Sequence, residues 1–236
     1  MTTTRTKTAA RETGGPRLTG SQTLAVVRYY ATLFGASQRW LAPTLLYGIA
    51  LAIDSAAGDT ASDSFAYSAA FLVPVAAWMT RSMLTTEPTE SASIVAALVG
   101  PARARLAALS AATGFALLCA LLGAVVAIFG GSGGSTSTAL AGIATEVICV
   151  LMGSAAGAVA APPLVPAAGW GVLLASLLAL GLLIARFSPA DLSIRALTAV
   201  SNGGALHFPL YALPFAIVVT GLAWWLATVS ATRHSV

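Results

Sequence analysis

Six long apolar blocks dominate the chain after residue 39. Their lengths are close to the roughly 20 residues that a helix needs to cross a hydrocarbon core of about 30 Å. The blocks lie at residues 40–57, 64–84, 106–130, 139–161, 165–185 and 208–230. The first is the weakest, because Asp54 interrupts it near its end. The pattern predicts an all-α polytopic membrane protein with six transmembrane helices.

The chain before the first block divides into two parts. Residues 1–20 are rich in Thr, Arg and Gly and show no apolar period, which is typical of a disordered tail. In residues 21–39 the apolar side chains fall on one half of a helix, and Arg28 and Arg39 lie on the other half. Residues 21–39 are therefore predicted to form an amphipathic helix in the membrane interface, followed by a six-span domain at residues 40–236.

Two of the connecting segments carry signals for short helices. Between the second and third blocks, Pro88 and Glu90 suit a first helical turn, and Gly100-Pro101 marks its end. Before the sixth block, Ser188-Pro189-Ala190-Asp191 resembles a helix start, and Asn202-Gly203-Gly204 resembles a helix end. We expect the first helix on the cytoplasmic side and the second on the external side.

The amino-acid composition also indicates a membrane protein and excludes classes of soluble protein. Hydrophobic residues make up 57% of the 236 residues and charged residues only 8%, whereas soluble domains carry about 25% charged residues. A cytosolic enzyme or a nucleic-acid-binding protein is excluded, despite the net charge of +4.

The few basic residues orient the chain. With the N-terminus inside, ten of the twelve basic residues lie on the cytoplasmic side, and only Arg186 and Arg195 lie outside. Because cytoplasmic loops are enriched in Lys and Arg, both termini are predicted to be cytoplasmic.

The sequence offers no catalytic, cofactor or metal site. Lys7 is the only lysine, so the chain lacks the Lys of a phosphate-binding loop and any ATP must be hydrolysed by a partner. His207 and His234 are predicted to lie on opposite membrane faces, and neither cysteine has a ligand-forming neighbour.

Glu146 is the one ionisable residue deep inside an apolar block. It should face protein or a wet cavity, because a carboxylate is costly in a bilayer. It shares a helical stripe with Gly142, Gly153 and Gly157, small residues that allow close helix approach. Two interpretations remain open: a residue that couples transport to protons, or a structural group at a helix interface.

The order of these parts resembles the ABC type-2 transporter permeases, the membrane subunits of bacterial exporters. The local likeness is strongest from residues 27–30 to 39–43 and from residues 80–82 to 100–106. The resemblance implies a coupling helix that sits in a cleft of an ATP-binding subunit, two copies of which bind ATP and Mg. It also implies a second permease copy or a paralogue, with the first, second and fifth spans lining the substrate path.

Carried onto this sequence, the resemblance places two Arg residues on the connecting helix, Arg28 and Arg39. The segment that it implies for coupling to the ATPase consists of Thr86, Glu87, Pro88, Thr89, Glu90, Ser91 and Ser93. The expected function is export of an antibiotic, lipid, peptide or glycan across a bacterial cell membrane. The alternative is a gradient-driven secondary transporter or channel that uses Glu146.

Overall fold

The computed structural model describes residues 20–233, and this part of the chain is all-helical. It contains nine α-helices and no strand; Thr60 and Ser132 form an isolated bridge. The helices are α1 (Gly20–Ala36), α2 (Leu41–Ala57), α3 (Ala61–Leu84), α4 (Thr89–Val99), α5 (Pro101–Gly130), α6 (Thr136–Val159), α7 (Ala168–Ile184), α8 (Pro189–Ser201) and α9 (Ala212–Arg233). The all-α class is thereby confirmed for this part of the chain. The predicted disordered tail lies almost wholly outside the described residues.

The six apolar blocks correspond to α2, α3, α5, α6, α7 and α9, but not all of these helices qualify as spans. Only α5, α6 and α9 are individually long and apolar enough to cross a membrane. Two bent pairs qualify if each pair counts as one span: α1 with α2, bent by 74°, and α7 with α8, bent by 46°. The described chain therefore has three to five candidate spans, as is typical of a membrane-embedded protein.

Length and polarity explain why fewer than six helices qualify. The helices α2 and α7 have 17 residues each, about 25 Å at 1.5 Å per residue, which is less than the hydrocarbon core. Helix α3 has 24 residues but carries many polar side chains. These polar side chains lower the mean hydropathy of α3, so α3 does not qualify as a span by composition.

Helix α3 forms the centre of the bundle. It packs against α2, α5, α6, α7 and α8. Its buried polar side chains include Ser62, Ser64, Ser68 and Thr80. Because its neighbours shield it from the surroundings, α3 can be more polar than the helices around it.

Local sequence explains where the helices begin and end. Thr60 accepts a hydrogen bond from the Asp63 backbone N–H at 3.3 Å, and so caps the start of α3. Gly100 has φ of +87°, which a side chain would strain, and Pro101 then occupies the first turn of α5. The Gly100-Pro101 pair thus separates α4 from α5, as the sequence predicts.

The bundle has two chemically different ends. The Arg-rich end carries α4, the α6–α7 turn and the end of α9, and the Arg105 guanidinium donates there to the carbonyl of Pro162. The Asp-rich end carries the α2–α3 and α5–α6 turns, which meet where the Ala61 N–H donates to Ser132 at 3.0 Å. Among residues 20–233, the Arg-rich end holds Arg28, Arg39, Arg81, Arg103, Arg105, Arg233, Glu87 and Glu90; the Asp-rich end holds Asp54, Asp59, Asp63, Asp191, Arg186 and Arg195.

Candidate functional site

Glu87 joins the α3–α4 connection to helix α1. Its carboxylate accepts hydrogen bonds from the hydroxyls of Tyr30 at 2.9 Å and Tyr29 at 3.2 Å. Burial, together with the hydrogen bond to Glu87, raises the pKa of Tyr30 above its ordinary value, so its phenol remains a donor. The half-buried Glu87 is thus held by its own chain.

A second contact fixes the same two elements. The Arg39 guanidinium donates to the backbone carbonyl of Thr85 at 3.0 Å. Arg39 follows α1, and Thr85 follows α3. Both contacts are made by the α3–α4 connection, just before α4 begins, whereas α4 itself packs against α5. We name this set of contacts, at Tyr29, Tyr30, Arg39, Thr85 and Glu87, the α1–α4 junction.

The rest of the predicted coupling segment is organised locally. Thr86 donates to the carbonyl of Ser82 at 2.6 Å, Ser91 to that of Pro88 at 3.1 Å, and Ser93 to that of Glu90 at 2.6 Å. These bonds stabilise the turn before α4 and its first turns. Thr89, whose side chain lies outside the description, begins α4.

Helix α4 has an inner and an outer face. On the inner face, Val95 and Val99 pack against the hydrophobic core. On the outer face, Ile94 is 61% exposed and Leu98 is 69% exposed, and Glu90 is exposed at the start of the helix. The predicted site residues therefore separate into Glu87, which faces α1, and Glu90 with Ser93, which face outward. Arg28 on α1 is also exposed.

A cavity of about 160 Å³ lies behind the junction. Its lining includes Tyr30, Glu87, Ala96 and Arg105. Sequence reasoning missed Tyr29, Tyr30 and Arg105 as members of this site. Tyr30 and Glu87 are 57 positions apart, and no local pattern indicates a contact at that separation.

Glu146 occupies the interior where α2, α3, α5 and α6 meet. It is 1% exposed, and its Oε1 accepts from the Ser68 hydroxyl at 2.6 Å. Gly123 of α5 leaves room for the group, because a Cβ there would collide with the Tyr47 hydroxyl and lie 2.7 Å from Oε1 of Glu146. Glu146 is not among the residues that line the lateral groove between α2, α3 and α7 or four other grooves of the described helices. The geometry therefore agrees better with a structural group than with a cavity residue.

The small residues on the Glu146 stripe lie directly against α3. A Cβ at Gly153 would overlap the carbonyl oxygen of Val73, and one at Gly157 would overlap that of Ala77. Gly142 likewise lies against the ring of Phe65. The stripe is where the two central helices approach each other most closely.

A lateral groove of about 370 Å³ runs between α2, α3 and α7. Leu46, Trp78 and Val172 line it and are each about half exposed. Arg81 also lines it, near the Arg-rich end, where its guanidinium lies against Gly171. These three helices correspond to the first, second and fifth apolar blocks.

Residues 20–233 contain no disulfide and no cluster of side chains suited to hold a metal ion. No group of three or more His, Cys, Asp or Glu side chains there is placed to hold a metal ion. Cys119 and Cys149 are buried and unbonded. His207 is exposed, and His234 lies outside the described residues.

Comparisons with protein-family models, with curated proteins and with solved structures find no match to this chain.

Proposed function

We propose that this chain is the membrane permease subunit of an ATP-driven exporter that moves a hydrophobic or amphipathic substrate out of a bacterial cell. ATP and Mg bind to a separate subunit in this proposal, since the chain has no phosphate-binding loop. The proposal includes six spans, among them α3, with the Arg-rich end and both termini in the cytoplasm.

The α1–α4 junction is the observation that carries the proposal. An ATP-driven permease needs a cytoplasmic element that takes up the motion of the ATPase and passes it to the spans. Helix α4 presents Glu90, Ile94 and Leu98 outward and packs against α5, while the contacts of Glu87 and Arg39 tie the connection that precedes it to α1. In this proposal a push on α4 passes through that connection to α1 and, after the bend, to α2.

The lateral groove supplies a substrate path in this proposal. Six helices leave little room inside one protomer for a drug-sized cavity of about 300–1,000 Å³. Two copies related by a two-fold axis would face their grooves toward each other and enclose a larger space. The half-exposed Leu46, Trp78 and Val172 suit a lipophilic substrate and select by shape rather than by hydrogen bonds.

One observation favours a second candidate, a gradient-driven carrier that uses Glu146. A carboxylate that is 1% exposed at the meeting of four helices is a common feature of proton pathways. The closed packing around Glu146 and its separation from the lateral groove favour the exporter.

Purification of the tagged chain in a mild detergent from its own host tests the exporter. We expect an ATPase, identified by its Walker-motif peptides, in stoichiometric amount. The variant Glu90→Lys should remove it, because breaking a charge pair buried in an interface costs about 2–5 kcal/mol. Asp59→Lys is the matched control, since it reverses an exposed carboxylate at the Asp-rich end.

Two results would contradict the proposal. One is recovery of the intact chain without an ATPase. The other is a Glu90→Lys variant that retains the ATPase and its substrate-stimulated turnover, which would remove α4 from the interface.

A further inference from the structure

A second groove opens between α1, α5 and α9 at the Arg-rich end. Its volume is about 280 Å³, and its exposed lining is largely apolar. The apolar residues are Val26, Val27, Leu106, Ala107 and Trp224; the polar ones are Thr23, Arg103 and Ser110.

The groove has a charged end and an apolar body. Arg103 lies in the first turn of α5 and is exposed, whereas Ser110 lies two turns further into the bundle. The groove therefore extends about 10 Å along α5 at 1.5 Å per residue. The Trp224 indole is held beside it by a 3.1 Å hydrogen bond from its Nε1 to the Ser154 hydroxyl. A cation at the mouth and apolar walls beyond it match a phosphate headgroup that carries an acyl chain.

The surrounding charge selects the sign of the headgroup. Within residues 20–233, the Arg-rich end holds six arginines and two glutamates. The formal excess at this end is therefore four positive charges, six from Arg minus two from Glu. The excess positive charge favours a net-negative headgroup over a zwitterionic one.

We propose that the α1–α5–α9 groove binds one anionic phospholipid, with its phosphate at Arg103 and an acyl chain along Leu106 and Trp224. The site is independent of transport, because it requires only that this part of the bundle lie in a bilayer. A lipid there would brace α1 against α5 and α9.

Fluorescence quenching by brominated lipids tests the site. The protein is placed in phosphatidylcholine bilayers that contain equal mole fractions of dibrominated phosphatidylglycerol or dibrominated phosphatidylcholine. The Trp224 signal is the difference between the wild type and Trp224→Phe. We expect phosphatidylglycerol to bind about fivefold more tightly, the factor that corresponds to about 1 kcal/mol for one basic side chain near the surface.

Substitutions test whether the preference for phosphatidylglycerol arises at the groove. Arg103→Gln should lower the ratio markedly, because Arg103 is the basic residue of the groove lining. Arg103→Lys should keep most of the ratio, and Arg186→Gln should keep all of it, because Arg186 lies at the opposite end. Ser110→Leu fills the groove and should weaken quenching of Trp224 by both lipids.

Three outcomes would overturn the proposal. They are equal binding of the two lipids by the wild type, a preference that Arg103→Gln does not lower, and unchanged quenching in Ser110→Leu. Competition by glycerol phosphate in solution would assign the site to a free phosphate compound and would also overturn it. Arg103→Lys and Ser110→Leu keep the test decisive if Arg103→Gln fails to fold.

Discussion

The α3–α6 interface and the lateral groove are both built largely from apolar and small residues, but they use them differently. At the interface, Gly153 and Gly157 bring α6 against the carbonyl oxygens of α3 with no space to spare. At the groove, Leu46, Trp78 and Val172 remain about half exposed. One region is closed packing, and the other is an open apolar surface.

The difference shows where stability arises in such a bundle. Lipid tails are as apolar as Leu side chains, so burying an apolar group between helices contributes little in a membrane. Close contact and buried hydrogen bonds contribute more: the close contact is between α3 and α6, and the hydrogen bonds join α6 to α3, α5 and α9. The groove can therefore change without loss of the fold, and this freedom makes it available for function.

The largest expected effect comes from adding one methyl group to the interface. Gly153→Ala should destabilise the folded bundle by about 1–3 kcal/mol, because its Cβ would overlap the Val73 carbonyl and the Ala76 side chain. Gly181→Ala on α7 is the matched control, since nothing lies within 4 Å of its Cβ position. Unfolding in mixed micelles measures both. Equal loss in the two variants would show that helix packing at Gly153 is not tight.

The next largest effect on stability is expected at Glu146, which lies in the same interface. Glu146→Gln keeps the shape and an acceptor for the Ser68 hydroxyl, so we expect a change in unfolding free energy of about 1 kcal/mol or less. ATP-driven export in vesicles should remain mostly intact.

An opposite result with Glu146→Gln would change the functional conclusion. Export that is abolished by the substitution, or wild-type export driven by an imposed proton gradient without ATP, would favour the carrier over the exporter.

Local signals were sufficient to predict the all-helical class of the described residues, but not how many helices qualify as spans. Gly100-Pro101 indicated the break between α4 and α5, because a positive φ and a fixed proline ring are properties of single residues. The packing role of Gly153 and Gly157 also followed from their spacing on one helix face.

Local signals did not predict which helices are enclosed by others or which distant side chains contact one another. Hydropathy measures the polarity of a segment and not its position in the bundle, so the polar side chains of α3 keep it from qualifying as a span beside α5, α6 and α9, although α3 is as enclosed as α6. The contact between Tyr30 and Glu87 joins positions far apart in sequence. The resemblance assigned Glu87 to a segment that contacts a partner, and no sequence signal indicated its hydrogen bonds with Tyr29 and Tyr30 of α1.

The smallest expected effect on stability, and a large one on function, comes from filling the lateral groove. Val172→Trp and Leu173→Trp enlarge adjacent α7 residues that are 53% and 57% exposed, but only Val172 lines the groove. Each should change the free energy of unfolding by about 0.5 kcal/mol or less, as exposed substitutions usually do. Under the exporter proposal, only Val172→Trp should reduce cross-linking between two permease copies and substrate-stimulated ATP hydrolysis by the purified complex. If Leu173→Trp has the same effect, the functional surface is the outer face of α7 as a whole. If neither variant has an effect, the substrate path lies away from α7, and the groove is only a surface in contact with lipid.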